Sequence, residues 1–271
     1  MLLETQTGKN AKSKGLILAG VTTLILLAAF LFVPPIRQNQ TYHSFADQRT
    51  MFGIANFLNV VSNLPFIPPG LLGLWFVFRG AKESFIEQAD RWNYAVLFAG
   101  VALTAFGSGF YHAEPNDARL VWDRLPMTIV FMSFFAATIT ERISVKVGRV
   151  ALPLLLGAGA ASVIVWRLGE LTGGGDLRFD GAVQFYPLIG IPLIALFFNS
   201  RYTRGSDIAG VMILYGAAKL AELLDDGIFQ LGGAVSGHTL KHIAAAAATF
   251  LILRMIKKRK PAFIDGSNGL L

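Results

Sequence analysis

Residues 105–126 read AFGSGFYHAEPNDARLVWDRLP and lie between two long apolar runs. In that short stretch the chain sets Ser108, His112, Glu114, Asp117, Asp123 and Arg124. Ionisable groups inside a membrane span are costly, so polarity concentrated where two apolar runs meet calls for a function. The flanking runs decide the fold class. About 20 mostly apolar residues cross the hydrocarbon core, and eight runs of that kind occur, at 15–34, 55–78, 93–112, 121–140, 149–167, 183–199, 207–224 and 238–256. Pro187, Pro192, Lys219 and Glu222 interrupt the sixth and seventh. Both still read as spans, because neighbouring helices can cover such groups.

The composition agrees with an all-α integral membrane protein: 54% of residues are hydrophobic, only 15% are charged, and 22 are Phe. A formal charge of +7 in a soluble chain would point to nucleic acid. Here the basic residues fall in short segments between apolar runs, so their partner is the cytoplasmic lipid surface and no nucleic-acid partner is expected. There is no cysteine, which excludes disulfides, thiolate metal sites and cysteine nucleophiles. Any metal must then be held by His, Asp or Glu. The first run follows Lys9, Lys12 and Lys14, and its length and lack of a small-residue cleavage site favour an uncleaved anchor over a signal peptide.

Lys and Arg positions orient the chain. With a cytoplasmic N-terminus, only Arg37, Arg49, Arg119, Arg167 and Arg178 fall in outside segments, while the inside segments include Arg79, Arg142, Lys146, Arg149, Arg201 and Arg204 and the run 257–260. An even number of spans, both termini inside, satisfies the positive-inside rule at every loop. This gives three parts: a basic segment and extra helix at 1–40, a membrane domain at 41–256, and a short basic cytoplasmic tail at 257–271 that is expected to be disordered.

In that topology His112, Asp123 and His238 share the outer end of the bundle. Ser108 and His112 are four apart on one helix, as are His238 and His242 in SGHTLKH, so each pair projects from one face. Two helices can therefore aim His112, His238 and His242 at one point. Three imidazoles and an open fourth position is an established catalytic zinc arrangement. Asp123 would accept a proton from water or orient a ligand imidazole, and Ser108 would donate to a developing oxyanion. Competing readings exist: Arg124 could neutralise Asp123 as a surface ion pair, and Gly107, Ser108 and Gly109 could be close-packing residues. His43 reads as an interfacial residue or a satisfied partner. Lys219, Glu222, Asp225 and Asp226 read as an ion-pair network or pocket rim.

Together, GSGFYHAEPNDARLVWDRLP, NFLNVVSNLPF and SGHTLKH resemble the alkaline ceramidase family, part of a superfamily of seven-span membrane hydrolases often called CREST. The resemblance runs from about Tyr42 to Arg254. It implies a seven-helix bundle, here with one extra N-terminal helix. It also implies a zinc-dependent intramembrane amidase that cleaves the N-acyl bond of ceramide or a related N-acyl lipid, with zinc on His112, His238 and His242, Asp123 assisting water and Ser108 supporting the site. Many eukaryotic members carry an acid-rich calcium site before the first core helix. YHSFADQRTMFGIANF offers only Asp47, with Asn56 where Glu is expected, which argues against calcium regulation. The compact loops suggest a bacterial inner-membrane member with its site toward the periplasmic face. The alternative is a zinc-stabilised lipid-binding or receptor-like protein with little turnover. A transporter working through Lys219, Glu222, Asp225 and Asp226 ranks last, because it leaves the histidines unexplained. Oligomeric state is not legible.

Overall fold

The computed structural model describes residues 13–262, apart from 16, 18–19, 25–26, 29, 81–83 and 88–89. The basic residues Lys9, Lys12 and Lys82 and the tail 263–271 lie outside the described residues. Every regular element described is helical. In chain order these are α1 (Phe57–Gly80), α2 (Asp90–Ala113), α3 (Asp117–Arg142), α4 (Val145–Leu171), α5 (Arg178–Phe197), α6 (Asp207–Leu223), α7 (Asp225–Gly232) and α8 (Gly237–Lys258).

Among the described residues, six helices are long and apolar enough to cross a membrane: α1 to α5 and α8. The run at 207–224, expected as a span, forms the 17-residue helix α6, which is not among those six, and α7 follows it almost directly. The expected extra span at 15–34 is helical wherever it is described up to Phe32. It lies along α5, where Arg178 donates to the carbonyls of Phe30 and Val33 and Tyr186 donates to Thr22. Pro187 and Pro192, which interrupt the sixth apolar run, are accommodated inside one continuous α5.

α2, α3 and α4 pack in sequence, α6 pairs with α8, and α8 also meets α1. Glycine sets the closest of these approaches. A Cβ at Gly107 would overlap the carbonyl oxygen of Trp122, so only glycine lets α2 and α3 come together where Ser108 and Asp123 sit. A Cβ at Gly237 would likewise strike the carbonyl of Ala221, so α8 can begin directly against the end of α6.

α1 is not a regular helix. Pro65, Pro68 and Pro69 each lack a backbone donor and would clash with the preceding turn of a continuous helix, and each instead lies in the first turn of a new segment. The chain answers with a short α-turn at Phe57–Val61, a 3-10 turn at Leu64–Phe66, a helix at Ile67–Trp75 and a wide π-type turn at Phe76–Gly80. The irregular first half leaves Asn59, Ser62 and Asn63 buried and pointed inward.

The two ends of the bundle are chemically different. One end gathers residues 36–49, the α2–α3 and α4–α5 connections and α7: Leu177 N–H donates to Ile36, Gln40 to Asp117, and Ala46 N–H to Asp225. The opposite end holds the basic residues in paired form. There Arg259, 3% exposed, binds Glu141 and stacks on Tyr94 and Tyr202, while Arg201 and Tyr202 both bind Asp90.

The fold and the charge bias make a joint prediction about sidedness. The absence of native cysteine means that a single introduced thiol is the sole labelling site. Glu114→Cys and Thr172→Cys should react with a membrane-impermeant maleimide in intact cells, whereas Lys146→Cys and Ser206→Cys should react only after permeabilisation. The reverse pattern would invert the protein in the membrane. Reaction of Glu114→Cys and Lys146→Cys from one side would break the assignment of α3 as a span.

Candidate metal centre

His112 closes the last turn of α2, and His238 and His242 lie on the first turns of α8. All three are buried, at 0%, 4% and 3% exposure. Their ring centroids are 4.7 to 4.9 Å apart, and one ligand nitrogen from each falls within 4.8 Å of the other two. His112 Nε2 and His238 Nε2 face each other at 3.4 Å. Two imidazole nitrogens that close need a proton or a cation between them.

The surroundings orient the rings. Ser62 Oγ lies 2.8 Å from His242 Nδ1 and 3.2 Å from the carbonyl of Asn59. A serine has one hydroxyl proton; donated to that carbonyl, it leaves Oγ to accept from Nδ1–H, and the His242 lone pair is then on Nε2. Nε2 of His242 and Nδ1 of His112 are buried without a hydrogen-bond partner. An orphaned buried acceptor is costly, and a metal ion shared with the facing Nε2 atoms of His112 and His238 would satisfy Nε2 of His242, so this donor set fits a metal held by three imidazoles. Phe45 packs its ring against His112 and His238, at centroid distances of 4.7 and 4.6 Å. Asp225 accepts the backbone N–H of His238 at 2.6 Å, which fixes the start of α8.

The approach to the centre is held by polar contacts that cross the chain. Asn56, in the left-handed conformation that Asn tolerates better than most side chains, turns the backbone and donates to the carbonyl of His112 at 2.9 Å. Asn59 donates to the carbonyl of Asp47 and accepts from Ser236 and Thr239 near the start of α8. Asp47 takes two donors from the Arg49 guanidinium, which holds its carboxyl below the usual carboxylate range, and Arg49 also donates to the carbonyls of Gly233 and Ala234. The one carboxylate of the 42–57 segment is therefore engaged by an arginine that straps the segment to the α7–α8 connection.

Ser108 and Asp123 are buried at 2% and 4%, and the Ser108 hydroxyl faces the Asp123 carboxylate across the α2–α3 contact. Both line a cavity that they share with His242 and Lys241 at its polar end, and with Phe131, Phe134, Ile191 and Ile252 along its apolar body. Arg124 does not pair with Asp123. Its guanidinium turns away to Gln38 at 2.9 Å and Asp180 at 3.5 Å and stacks on Trp166, so the surface ion pair considered from the sequence is not formed. His43 is a satisfied partner, held between Tyr111 and Asp117 at 2.9 Å each.

Sequence reasoning missed Ser62, Asn59 and Phe45, whose contacts to the histidines and their helix span long separations in the chain. It also missed Lys241, whose ammonium lies 3.2 Å from His238 Nε2 and 2.7 Å from Glu222. The i, i+3 spacing of His238 and Lys241 on one helix was the available signal.

Residues 48–171 match the family model described as Ceramidase. Over that stretch the chain is similar to the ceramidase family. The match covers two of the three motifs that carry the resemblance, NFLNVVSNLPF and GSGFYHAEPNDARLVWDRLP, and stops short of SGHTLKH. The ceramidase match takes in α1 to α4 and so contains Ser108, His112 and Asp123, whereas His238 and His242 lie beyond it on α8. No curated protein sequence matches the chain.

A prediction isolates the support of the centre. If Ser62 sets the tautomer and tilt of His242, Ser62→Ala should weaken metal binding by roughly tenfold or more, read by titrating the purified protein against a zinc indicator. Unaltered affinity would remove Ser62 from the site.

Proposed function

We propose that the protein is a zinc-dependent intramembrane amidase that hydrolyses the N-acyl bond of ceramide or a related N-acyl lipid, giving a free amine base and a fatty acid. The observation that carries this reading is the position of the three buried imidazoles beside the polar rim of an otherwise apolar cavity that also holds Ser108 and Asp123. The ceramidase match supports the same class, since a ceramidase acts on an amide bond in a lipid.

His112, His238 and His242 would hold the ion. Zinc held there supplies Lewis acidity, which polarises a carbonyl and acidifies water. Asp123 accepts a proton from the attacking water and returns it to the leaving nitrogen, so that OH adds to the acyl carbon and H to the amine. Ser108, whose single hydroxyl proton faces Asp123 in the free protein, turns it toward the carbonyl oxygen as charge develops there. The Phe and Ile side chains of the cavity take the acyl chain and exclude water from it. The amide then sits at the polar end, near the membrane edge, where water is available.

The reading includes a location. The basic end opposite the histidines faces the cytoplasm, both termini are cytoplasmic, and the site opens to the periplasmic face of a bacterial inner membrane.

The test separates the ion from the chemistry. Purified protein should contain about one zinc per chain, and His238→Ala and His242→Ala should each lose most of it. Asp123→Asn should keep its zinc yet lose hydrolysis by about a hundredfold or more. Ser108→Ala should cost less than Asp123→Asn. Undiminished zinc in both histidine variants would overturn the ligand assignment, and full activity in Asp123→Asn would remove that residue from the mechanism.

A further inference from the structure

The proposed hydrolysis leaves the group formed by Lys219, Glu222 and Lys241 unused. Glu222 on α6 is shared, with Lys219 on one carboxylate oxygen and Lys241 of α8 on the other at 2.7 Å. Two ammonium groups thus share one carboxylate, and Asp123 is the other acidic group that acts on Lys241. Lys241 is the inner of the two, its side chain 14% exposed against 34% for Lys219.

An ammonium group carries three donors. Glu222 takes one of those of Lys241, a second points toward His238 Nε2, whose single lone pair an ion at the centre would take instead, and the third has no partner among the described residues. Lys241 also lines the cavity whose rim contains Ser108, Asp123 and His242 and whose body is apolar. On that rim the anionic Asp123 comes from α3 and the cationic Lys241 from α8. A cation on the wall of a largely apolar cavity is complementary to an amphiphile with an anionic head and a hydrocarbon tail. The charge-assisted hydrogen bond supplies head-group preference, and the cavity binds the tail whatever the head.

We infer that Lys241 binds the carboxylate of a long-chain fatty acid whose tail lies in the cavity, and that the protein therefore retains its acyl product. The inference rests on the amidase reading for the origin of the fatty acid, but not for its recognition.

Direct binding to the detergent-solubilised full chain tests this, with palmitate as the charged ligand and hexadecanol as the uncharged ligand of equal tail length. Wild-type protein should prefer palmitate. Lys241→Met should lower palmitate affinity about tenfold or more, the size expected for one hydrogen bond to a charged group, with hexadecanol affinity and zinc content unchanged. Lys241→Arg should keep the preference. Glu222→Gln should keep or raise it, because it leaves the ammonium unpaired, whereas a merely structural lysine would make Glu222→Gln and Lys241→Met behave alike. If Lys241→Met does not fold, Glu222→Gln decides: a retained preference supports the inference and a lost one overturns it. An unchanged preference in Lys241→Met, or one abolished by chelation but not by that substitution, also overturns it. A Lys241-dependent preference in a protein without hydrolysis would sink the amidase reading alone, while hydrolysis without that preference would sink only this inference.

Discussion

Three imidazoles buried within 5 Å of one another are the constraint on which the rest of the molecule depends. Each ring brings polar nitrogens out of water, and a buried polar atom without a partner costs on the order of 1–3 kcal/mol. Close packing by Phe45 and Tyr111 worsens the cost by excluding water from the rings. An ion shared by all three would turn this liability into a bond. The local irregularities of the fold follow from holding the rings in that arrangement.

A regular α1 would have hidden its backbone groups inside its own ladder. The prolines prevent this, and the resulting turns release Asn59 and Ser62 toward the start of α8. Gly107 and Gly237 act at the same level, since each admits a backbone contact that any Cβ would block, one beside Ser108 and Asp123 and the other at the head of the helix carrying two histidines. The segment from Ile36 to Arg49 closes the structure from outside, tied to the α4–α5 connection, Asp117, Asp225 and the carbonyls of Gly233 and Ala234. The site is thus built from helix ends but fixed by loops and broken helix, a division possible only where non-helical backbone is buried in protein.

Much of this was legible in the sequence because it follows from period and length. The four-residue spacings 108/112 and 238/242 put each pair on one helix face, and alternation of the spans put both faces at one end, so the His cluster needed no tertiary information. Where the sequence fell short, the deciding contacts were between distant segments or between alternative partners of one side chain. Arg124 was adjacent to Asp123 in sequence, yet successive helical residues point in different directions, and Gln38, Asp180 and Trp166 claim it instead. The ion-pair network at Lys219 and Glu222 was foreseen, but its continuation through Lys241 to His238 was not, because Lys241 read as a residue at the end of a span. Hydropathy also treats 207–224 as one more span, whereas the chain bends at Leu224 into α7 and uses that bend to bring Asp225 to the head of α8.

The central claim is that water attacks an amide at this centre. The most direct measurement is mass spectrometry of the products formed when the purified protein is incubated with an N-acyl sphingoid base in water enriched in oxygen-18. Hydrolysis predicts free amine base together with fatty acid carrying a single heavy oxygen in its carboxylate. Recovery of intact lipid bound to the zinc-loaded protein, with no free base and no labelled acid, would contradict the account and assign the site to lipid binding without turnover.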